Sequence, residues 1–138
     1  MNRKGIAGII GCIIILTATA CRDEVSDLLK GKWQLKTIEQ GASVSRVDTV
    51  WYNFQSESLF MYQIYDRQSN DYKSQYGYKT QPDAHTLHLE MFSYSRPVQD
   101  FLPLTDWPEK ERLFTVEKID GKHLVLKVDG ITYTFDRF

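Results

Sequence analysis

The pattern of apolar and polar residues changes at Gly31, and from there to the end of the chain it is typical of β-strands. Short runs rich in Tyr, Phe, Val, Thr and Ile alternate between apolar and polar residues, and turn residues separate the runs. A period of two indicates antiparallel strands, because successive side chains lie on opposite faces. The pattern predicts eight strands, at residues 33–40, 48–55, 58–65, 72–80, 86–92, 112–119, 122–128 and 131–137.

Turns between these strands predict which residues face one another, since cross-strand partners must share a face. Asp129 and Gly130 form a favoured two-residue hairpin turn, and loops at 56–58, 82–83 and 119–121 are expected to join other neighbours. Each turn produces a nearly all-apolar face. The predicted pairs are Val128 with Ile131, Leu126 with Tyr133, Leu124 with Phe135, Phe54 with Phe60, Tyr52 with Tyr62, Val50 with Ile64, Tyr78 with Leu87, Tyr76 with Leu89, Ser74 with Met91, Phe114 with Leu126, and Val116 with Leu124.

The lengths of the connections predict the shape of the sheet. Three long connections, at 41–47, 66–71 and 93–111, alternate along the chain with tight ones. In an up-and-down barrel, alternate connections lie at opposite ends, so one end carries only tight turns and the other carries the long loops. The sequence therefore predicts an all-β fold, an eight-stranded antiparallel up-and-down barrel with a closed base and a looped mouth, which can be filled or can hold one small ligand.

The inward-facing residues divide by height within the predicted barrel. Those near the base are large and apolar, and they are Trp33, Phe54, Phe60, Tyr78, Leu87, Val116, Leu124 and Phe135. Those near the mouth combine apolar groups with phenol hydroxyls, as small-molecule pockets do. From the mouth set, the candidate ligand-binding residues are Tyr52, Tyr62, Tyr72, Met91, Phe114 and Tyr133. A filled core, in which the tyrosines bond to one another or to the backbone, is the alternative.

The connection at 93–111 is long enough to suggest a function of its own. It contains Tyr94, Phe101 and Trp107 among its apolar residues, too many to remain in water. Asp106 followed by Pro108 predicts a helix start, with Asp106 as the N-cap. This segment is interpreted either as a lid or partner-docking tip at the mouth, or as a loop packed on the barrel wall.

The first residues have the pattern of an export signal. Arg3 and Lys4 precede the uncharged run 5–16, and small residues lead to Cys21. This run is shorter than the roughly 20 residues that a membrane-spanning helix needs, and the order of charge, apolar run and small residues indicates a secretory signal rather than a buried helix. The sequence predicts a signal peptide at 1–20, a tether or short helix at 21–30, and a barrel domain at 31–138.

The stretch Ala18-Thr19-Ala20-Cys21 resembles the lipobox of bacterial lipoproteins. The resemblance implies that Cys21 is acylated, becomes the new N-terminus and anchors the protein to a membrane through its acyl chains. Arg22, Asp23 and Glu24 resemble a short tag that directs lipoproteins to the outside of the outer membrane. The expected location is therefore the outer membrane, with exposure at the cell surface as one reading. Removal of 1–20 also leaves a single cysteine, so no disulfide within the exported chain is expected.

Neither the charge nor the motifs of the chain point to nucleic acid binding or catalysis. The net charge is −1, so the chain is not basic enough to suggest nucleic acid binding. His123 is expected to face outward between Glu117 and Asp136 without a nucleophile beside it. His85, His88 and Asp83 lack a fourth convincing metal ligand. The sequence therefore predicts no catalytic residue, no metal site and no cofactor, and the protein is not expected to be an enzyme.

Gly31-Lys32-Trp33 resembles the start of the first strand in lipocalins, whose Gly-x-Trp motif places the Trp across the barrel base. An Arg near the end of the last strand covers that Trp in the family, and Arg137 occupies this position here. The family's long helix after the last strand and its usual disulfide are both missing from the sequence. The resemblance is to the small lipocalin-like lipoproteins of Gram-negative bacteria. It implies a small apolar or amphipathic ligand in the mouth, or else a protein partner bound through 93–111.

Overall fold

A computed structural model describes residues 21–138 of the chain, and the predicted signal peptide lies outside the described residues. Within 21–138 the structure has nine strands and three short helical segments. The strands are β1 (Gly31–Gln40), β2 (Ser43–Arg46), β3 (Val50–Phe54), β4 (Leu59–Asp66), β5 (Asp71–Asp83), β6 (Thr86–Met91), β7 (Glu111–Ile119), β8 (His123–Val128) and β9 (Ile131–Arg137). The helical segments are α1 (Arg22–Leu29), α2 (Val98–Phe101) and a 3₁₀ turn (Leu102–Leu104).

Eight of these strands close into the predicted antiparallel barrel. Strands β3 to β9 follow one another in chain order, and β1 closes the sheet by pairing with both β3 and β9. The eight-stranded fold predicted from the sequence is thereby confirmed. The short strand β2 was not predicted, and it forms a hairpin with the outer half of β1, where Gln40 pairs with Ser43.

The predicted pairing is confirmed for two of the four turns. Phe54 pairs with Phe60 and Tyr52 with Tyr62 between β3 and β4. Leu124 pairs with Phe135 and Leu126 with Tyr133 between β8 and β9. In both hairpins the turn chemistry and the apolar alternation favour the same register, so the local sequence is sufficient to define the pairing.

The predicted register of β5 against β6 is wrong by three residues, and because three is an odd number the two faces of β5 are exchanged. Tyr78 pairs with Glu90 rather than Leu87, Ser74 does not pair with Met91, and Tyr76 does not pair with Leu89. Tyr78 is 56% exposed, and the inward positions are Gln75, Gly77, Lys79 and Gln81. The ring of Phe60 explains why Gly77 and not Tyr78 faces inward. Gly77 is the register partner of Phe60, and its missing side chain leaves the space that the ring occupies.

The predicted register between β7 and β8 is also wrong. Val116 pairs with Leu126 instead of Leu124, and Phe114 does not pair with Leu126. A bulge between Val116 and Lys118 shifts the ladder. The side chain of Asp120 lengthens the turn, since its Oδ1 accepts hydrogen bonds from the backbone N–H groups of Lys122 and His123, each at 2.8 Å. Phe114 and Val116 nevertheless remain on the buried face.

Helix α1 and two side chains close the base of the barrel. The Arg137 guanidinium lies 4.0 Å from the centroid of the Trp33 ring, the stack that the resemblance implied. Nη1 and Nη2 of Arg137 donate to the carbonyls of Lys30 (2.5 Å) and Leu28 (2.7 Å). Trp33 Nε1 donates to the Leu29 carbonyl at 2.8 Å. The carbonyls at the C-terminal end of α1 are therefore satisfied by barrel side chains.

Gly31 makes this closure possible. Its φ of +116° is a conformation that residues with a Cβ rarely adopt, and a Cβ there would lie 2.7 Å from Arg137 Nη1. The glycine of the Gly-x-Trp motif therefore leaves room for the arginine that covers the tryptophan. Within residues 21–138, no helix is long and apolar enough to cross a membrane.

Gly77→Ala is expected to lower the free energy of unfolding by about 1–3 kcal/mol or more, because overpacking displaces neighbouring atoms. The new Cβ would meet Phe60 Cε1 at 2.3 Å and the backbone oxygen of Glu90 at 2.5 Å. Gly121→Ala is the matched control, since nothing lies within 4 Å of a Cβ there. Urea unfolding measures both variants, and equal stability for the two would contradict the assigned phase of β5.

Candidate functional site

The segment between β6 and β7 folds over the mouth of the barrel. It contains α2 and the 3₁₀ turn, and both Val98 and Phe101 are buried. The predicted helix start at Asp106 is wrong, because residues 105–110 are not helical. The Thr105 hydroxyl oxygen instead accepts the backbone N–H of Trp107 at 3.0 Å. This local bond competes with helix formation and turns the chain so that Trp107 points into the barrel.

The indole of Trp107 fills the upper interior of the barrel. Trp107 is 4% exposed, and its Nε1 donates to the hydroxyl of Tyr52 at 3.0 Å. Its ring centroid lies 5.8 Å from that of Tyr62, in an edge-to-face contact. The rings of Phe60 and Phe114 lie 6.2 and 5.9 Å away. Trp107 therefore occupies the space that the sequence assigned to a small ligand.

A charged network lies beside the indole. Tyr133 donates its hydroxyl to Asp106 Oδ2 at 2.5 Å and accepts a hydrogen bond from Arg112 Nη1 at 2.7 Å. The Arg112 side chain is 3% exposed, and its Nη2 lies 3.8 Å from Asp129 Oδ2. A buried guanidinium without an anionic partner is unfavourable. Asp129 is this partner for Arg112, and Tyr133 connects the guanidinium to the Asp106 carboxylate, so the mouth is a site that favours carboxylates.

The segment is also held from the barrel wall. Gln75, on the inward face of β5, donates through Nε2 to the carbonyls of Phe92 (2.8 Å) and Arg96 (3.0 Å). The sequence-based expectation placed Ser74 inward and missed Gln75. The alternation of β5 gives little help here, since Tyr72, Tyr76 and Tyr78 lie on the opposite face from these polar groups.

The predicted ligand-binding residues are distributed over two places. Tyr52, Tyr62, Met91, Phe114 and Tyr133 are buried in the barrel interior. The prediction that Tyr72 lines the ligand site is wrong, because this residue is 49% exposed and lies on the outer surface. Its ring there contacts Trp51 at 5.6 Å and Tyr65 at 5.2 Å between centroids. The reversed phase of β5 is the cause, since a shift by an odd number of residues moves every side chain to the other face.

The phenols at the mouth are held in their neutral form. Burial raises the pKa of Tyr52, Tyr62 and Tyr133 above the usual range for tyrosine. For Tyr133, its hydrogen bond to Asp106 raises the pKa further. For Tyr62, the charge of Asp106 acts in the same direction. The three hydroxyls therefore serve as hydrogen-bonding groups.

Asp106, Trp107, Arg112 and Gln75 were not among the candidate site residues from the sequence. Trp107 was recognised only as one of several apolar residues in a long connection. The sequence shows that Asp106 and Trp107 are adjacent and follow a Thr, and that Arg112 lies close to the start of the next strand. Only the fold shows that these residues meet Tyr52 and Tyr133.

The histidines that the sequence singled out lie on the surface. His123 pairs with Asp136 across the strands, and its Nδ1 lies 3.4 Å from Asp120 Oδ1. Glu117, expected beside it, instead lies 3.0 Å from Lys127. In the candidate metal group, Asp83 Oδ1 accepts the backbone N–H of His85, and His88 Nε2 lies 3.3 Å from Glu111. Within residues 21–138, no group of three or more His, Cys, Asp or Glu is placed to bind a metal ion.

The family of the chain follows from comparison with known proteins. The model of the lipocalin-like domain matches residues 14–138, and the chain belongs to this family. The crystal structure of a lipocalin-like protein from Bacteroides uniformis ATCC 8492 has a TM-score of 0.68 and 22% identity, and the match covers 80% of this chain and 99% of that one. An uncharacterized protein from Bacteroides eggerthii DSM 20697 has a TM-score of 0.64, 26% identity and the same coverage. Among curated proteins, no sequence matches this chain.

Membership in this family gives a general class of function. A lipocalin-like barrel is typically a binding fold rather than a catalytic one, and it suggests ligand binding in general. In this structure the mouth of the barrel is the place where such a ligand site would lie. The mouth is the end where the long connections meet and where aromatic, phenolic and charged side chains converge.

The stability of the fold is expected to decrease as the pH rises above about 10, the ordinary pKa of tyrosine. The unfolded chain loses phenolic protons there, while native Tyr52, Tyr62 and Tyr133 keep theirs because their pKa values are raised. The native state then binds more protons, so each tyrosine lowers the free energy of unfolding by about 1.4 kcal/mol per pH unit. Urea unfolding between pH 9 and 11 measures the slope, and a flat profile would contradict the burial of these hydroxyls.

Proposed function

We propose that this protein is a membrane-anchored lipocalin-like lipoprotein that binds a small amphipathic molecule at the mouth of its barrel. The observation that supports this proposal is the occupancy of the mouth by Trp107 and Asp106. The barrel presents an aromatic chamber, a hydroxyl that accepts an N–H and a buried guanidinium. The chain's own connecting segment fills the chamber with Trp107 and donates to the hydroxyl of Tyr52, while the guanidinium of Arg112 contacts Tyr133 and Asp129.

The groups that hold the segment define the chemistry of the ligand. An aromatic or apolar body would replace the indole between Tyr62, Phe60 and Phe114. An acidic group would replace the Asp106 carboxylate at Tyr133, whose hydroxyl also binds Arg112. The ligand class is therefore an apolar molecule with one anionic group, a more specific class than the sequence alone suggested.

Binding requires segment 92–110 to move, so the segment acts as a displaceable lid. Its buried apolar side chains are Val98, Phe101 and Trp107. Tyr94 and Leu104 face outward. Removing a buried aromatic side chain typically costs about 3–5 kcal/mol. A ligand that fills the same chamber offsets this cost by burying comparable apolar area.

Cys21 is the proposed anchor. It is exposed and directly precedes α1, which packs against the base of the barrel. Acyl chains on Cys21 would hold the base towards a membrane and leave the mouth at the far end. We propose the outer membrane as the location, from the signal pattern and the residues that follow Cys21. We also propose that the protein is not an enzyme, since its mouth residues offer binding groups rather than a nucleophile and base.

A second candidate function is binding of a protein partner through the segment 92–110. It is supported by the filled interior and by aromatic groups on the outer wall. The ring of Tyr94 contacts that of Tyr76 edge-to-face at a centroid distance of 5.9 Å, and the ring of Phe92 contacts that of Tyr78 in a tilted arrangement at 4.5 Å. They line a shallow groove of about 290 Å³ with Gln55 and Leu59. A barrel used in this way would keep Trp107 in place.

Native mass spectrometry of the full chain, purified from its own host, tests the two candidates. The first predicts a reproducible co-purified small molecule, and it predicts that Trp107→Leu retains more of it because the competing indole is removed. Arg112→Gln is expected to weaken retention about tenfold or more, since hydrogen bonds to charged groups contribute about 1.5–3 kcal/mol. The exposed Arg46→Gln is its control. A bound protein in place of the small molecule supports the second candidate, and neither would contradict both.

Cys21→Ala is expected to move the protein from the membrane fraction to the soluble fraction, because the residue that carries the acyl chains is lost. Cys12→Ala is the matched control, since Cys12 would leave with the signal peptide. Fractionation of host cells followed by immunoblotting measures the distribution. Persistence of the Cys21→Ala variant in the membrane would show that the anchor lies elsewhere.

A further inference from the structure

A polar pocket of about 250 Å³ lies at the base of the barrel, where α1 meets the start of β4 and the end of β5. It is at the opposite end from the mouth, and the function proposed above makes no use of it. Its lining mixes charges of both signs with neutral polar groups, among them Arg22, Asp23, Ser26, Glu57, Lys79 and Gln81. The pocket is polar because Lys79 and Gln81, which follow Gly77 on β5 towards the base, have their side chains on the inward face of the strand.

Two of the lining side chains are buried without adequate partners. Lys79 is 3% exposed, and its Nζ has one hydrogen bond, to Ser26 Oγ at 3.2 Å. Among residues 21–138, no carboxylate lies within 4 Å of that ammonium. Gln81 is 7% exposed, and neither its amide nitrogen nor its amide oxygen has a protein partner. Buried polar groups are nearly always hydrogen-bonded, so both residues indicate a bound polar species.

The balance of charge around the pocket selects the kind of species. Lys79 and Arg22 are positive, while Glu57 and Asp23 are negative, so the lining has no net charge. Arg22 and Asp23 form an ion pair with each other at 3.1 Å, which leaves Lys79 and Glu57 as the charges available to a ligand. Glu57 would repel a simple anion, and Lys79 would repel a simple cation. A zwitterion can place an oxyanion near Lys79 and an ammonium near Glu57. Gln81 fits the same ligand, because its amide both donates and accepts.

The volume sets the size of the ligand. Each water occupies about 30 Å³ of the liquid, so the pocket accommodates a molecule of roughly eight non-hydrogen atoms. Phosphoethanolamine is of this size and carries the two required groups, an oxygen-rich anion and a primary ammonium. It occurs as a free solute and as the headgroup of a phospholipid.

We propose that the base pocket binds a small zwitterion of the phosphoethanolamine type, with its oxyanion at Lys79 and its ammonium at Glu57. The position of the pocket bears on the source of the ligand. Arg22 lines the pocket and directly follows Cys21, so an acylated Cys21 would hold the pocket against a layer of headgroups. The zwitterion site itself does not depend on that anchor or on a ligand at the mouth.

Titration calorimetry of the full chain in a non-ionic maltoside detergent tests the proposal. Phosphoethanolamine is expected to bind at least tenfold more tightly than each of three related molecules. Inorganic phosphate lacks the ammonium, ethanolamine lacks the anion, and phosphocholine lacks the N–H donors. Absence of binding by phosphoethanolamine would overturn the proposal. Equal binding of inorganic phosphate would also overturn it, because the site would then be a plain anion site.

Two variants test the residues. Lys79→Met removes the buried charge at similar volume, a change that buried sites tolerate, and it is expected to weaken phosphoethanolamine binding about tenfold or more. Gln81→Leu is expected to weaken it in the same direction. Lys127→Met, on the outer face of β8, is the matched control and should bind as the unmodified chain does. Unchanged affinity in both Lys79→Met and Gln81→Leu would overturn the assignment.

Reconstitution distinguishes the two sources of the ligand. The full chain is placed in phosphatidylcholine vesicles with and without phosphatidylethanolamine, and binding of soluble phosphoethanolamine is measured in each. Weaker apparent binding in the vesicles with phosphatidylethanolamine identifies the headgroup as the occupant and supports the proposal. Equal binding in both identifies the free zwitterion and also supports it, whereas loss of binding in both would overturn it.

Discussion

A closed eight-stranded barrel has an interior that must be filled, and this constraint organises the whole structure. Pairing of β1 with β9 removes the sheet edges and encloses an aromatic column. The base is completed by α1, whose terminal carbonyls bind Trp33 and Arg137. At the mouth, the segment that contains α2 covers the barrel, and Trp107 extends from this segment to fill the remaining space. Each end of the barrel is therefore closed by residues outside the strands.

Strand β5 links the two ends. Its inward face carries Gln75 near the mouth, Gly77 in the middle, and Lys79 and Gln81 near the base. Gln75 holds the carbonyls of the mouth segment, while Lys79 reaches α1 through Ser26. Gly77 admits the Phe60 ring between these polar groups. One strand thus supplies polar contacts to both closures, and its tyrosines cover the outer wall.

The predictions from sequence succeeded where local signals agreed. The hairpin at Asp129-Gly130 combines turn chemistry with alternation, and the register of Phe54 with Phe60 follows from the same agreement. They failed on β5, where aromatic residues occupy the exposed face and the apolar pattern therefore indicates the wrong phase. They failed again near Asp120, because a side-chain hydrogen bond lengthens the turn and a bulge absorbs the shift. Local sequence is sufficient to predict that a segment forms a strand, whereas the face of the strand that is buried depends on the strand beside it.

The sequence by itself determined the eight strands and the long connection at one end, because periodicity, turn residues and the spacing of the turns are local properties of the chain. The roles of Gly31, Trp33 and Arg137 at the closed base were implied by the resemblance of these residues to lipocalins. Only the tertiary structure decided that the barrel is filled, that Asp106 and Trp107 occupy its mouth, and that Lys79 and Gln81 lie inside. The reason is physical: which side chain fills an enclosed space depends on every wall of that space, and those walls come from distant parts of the chain.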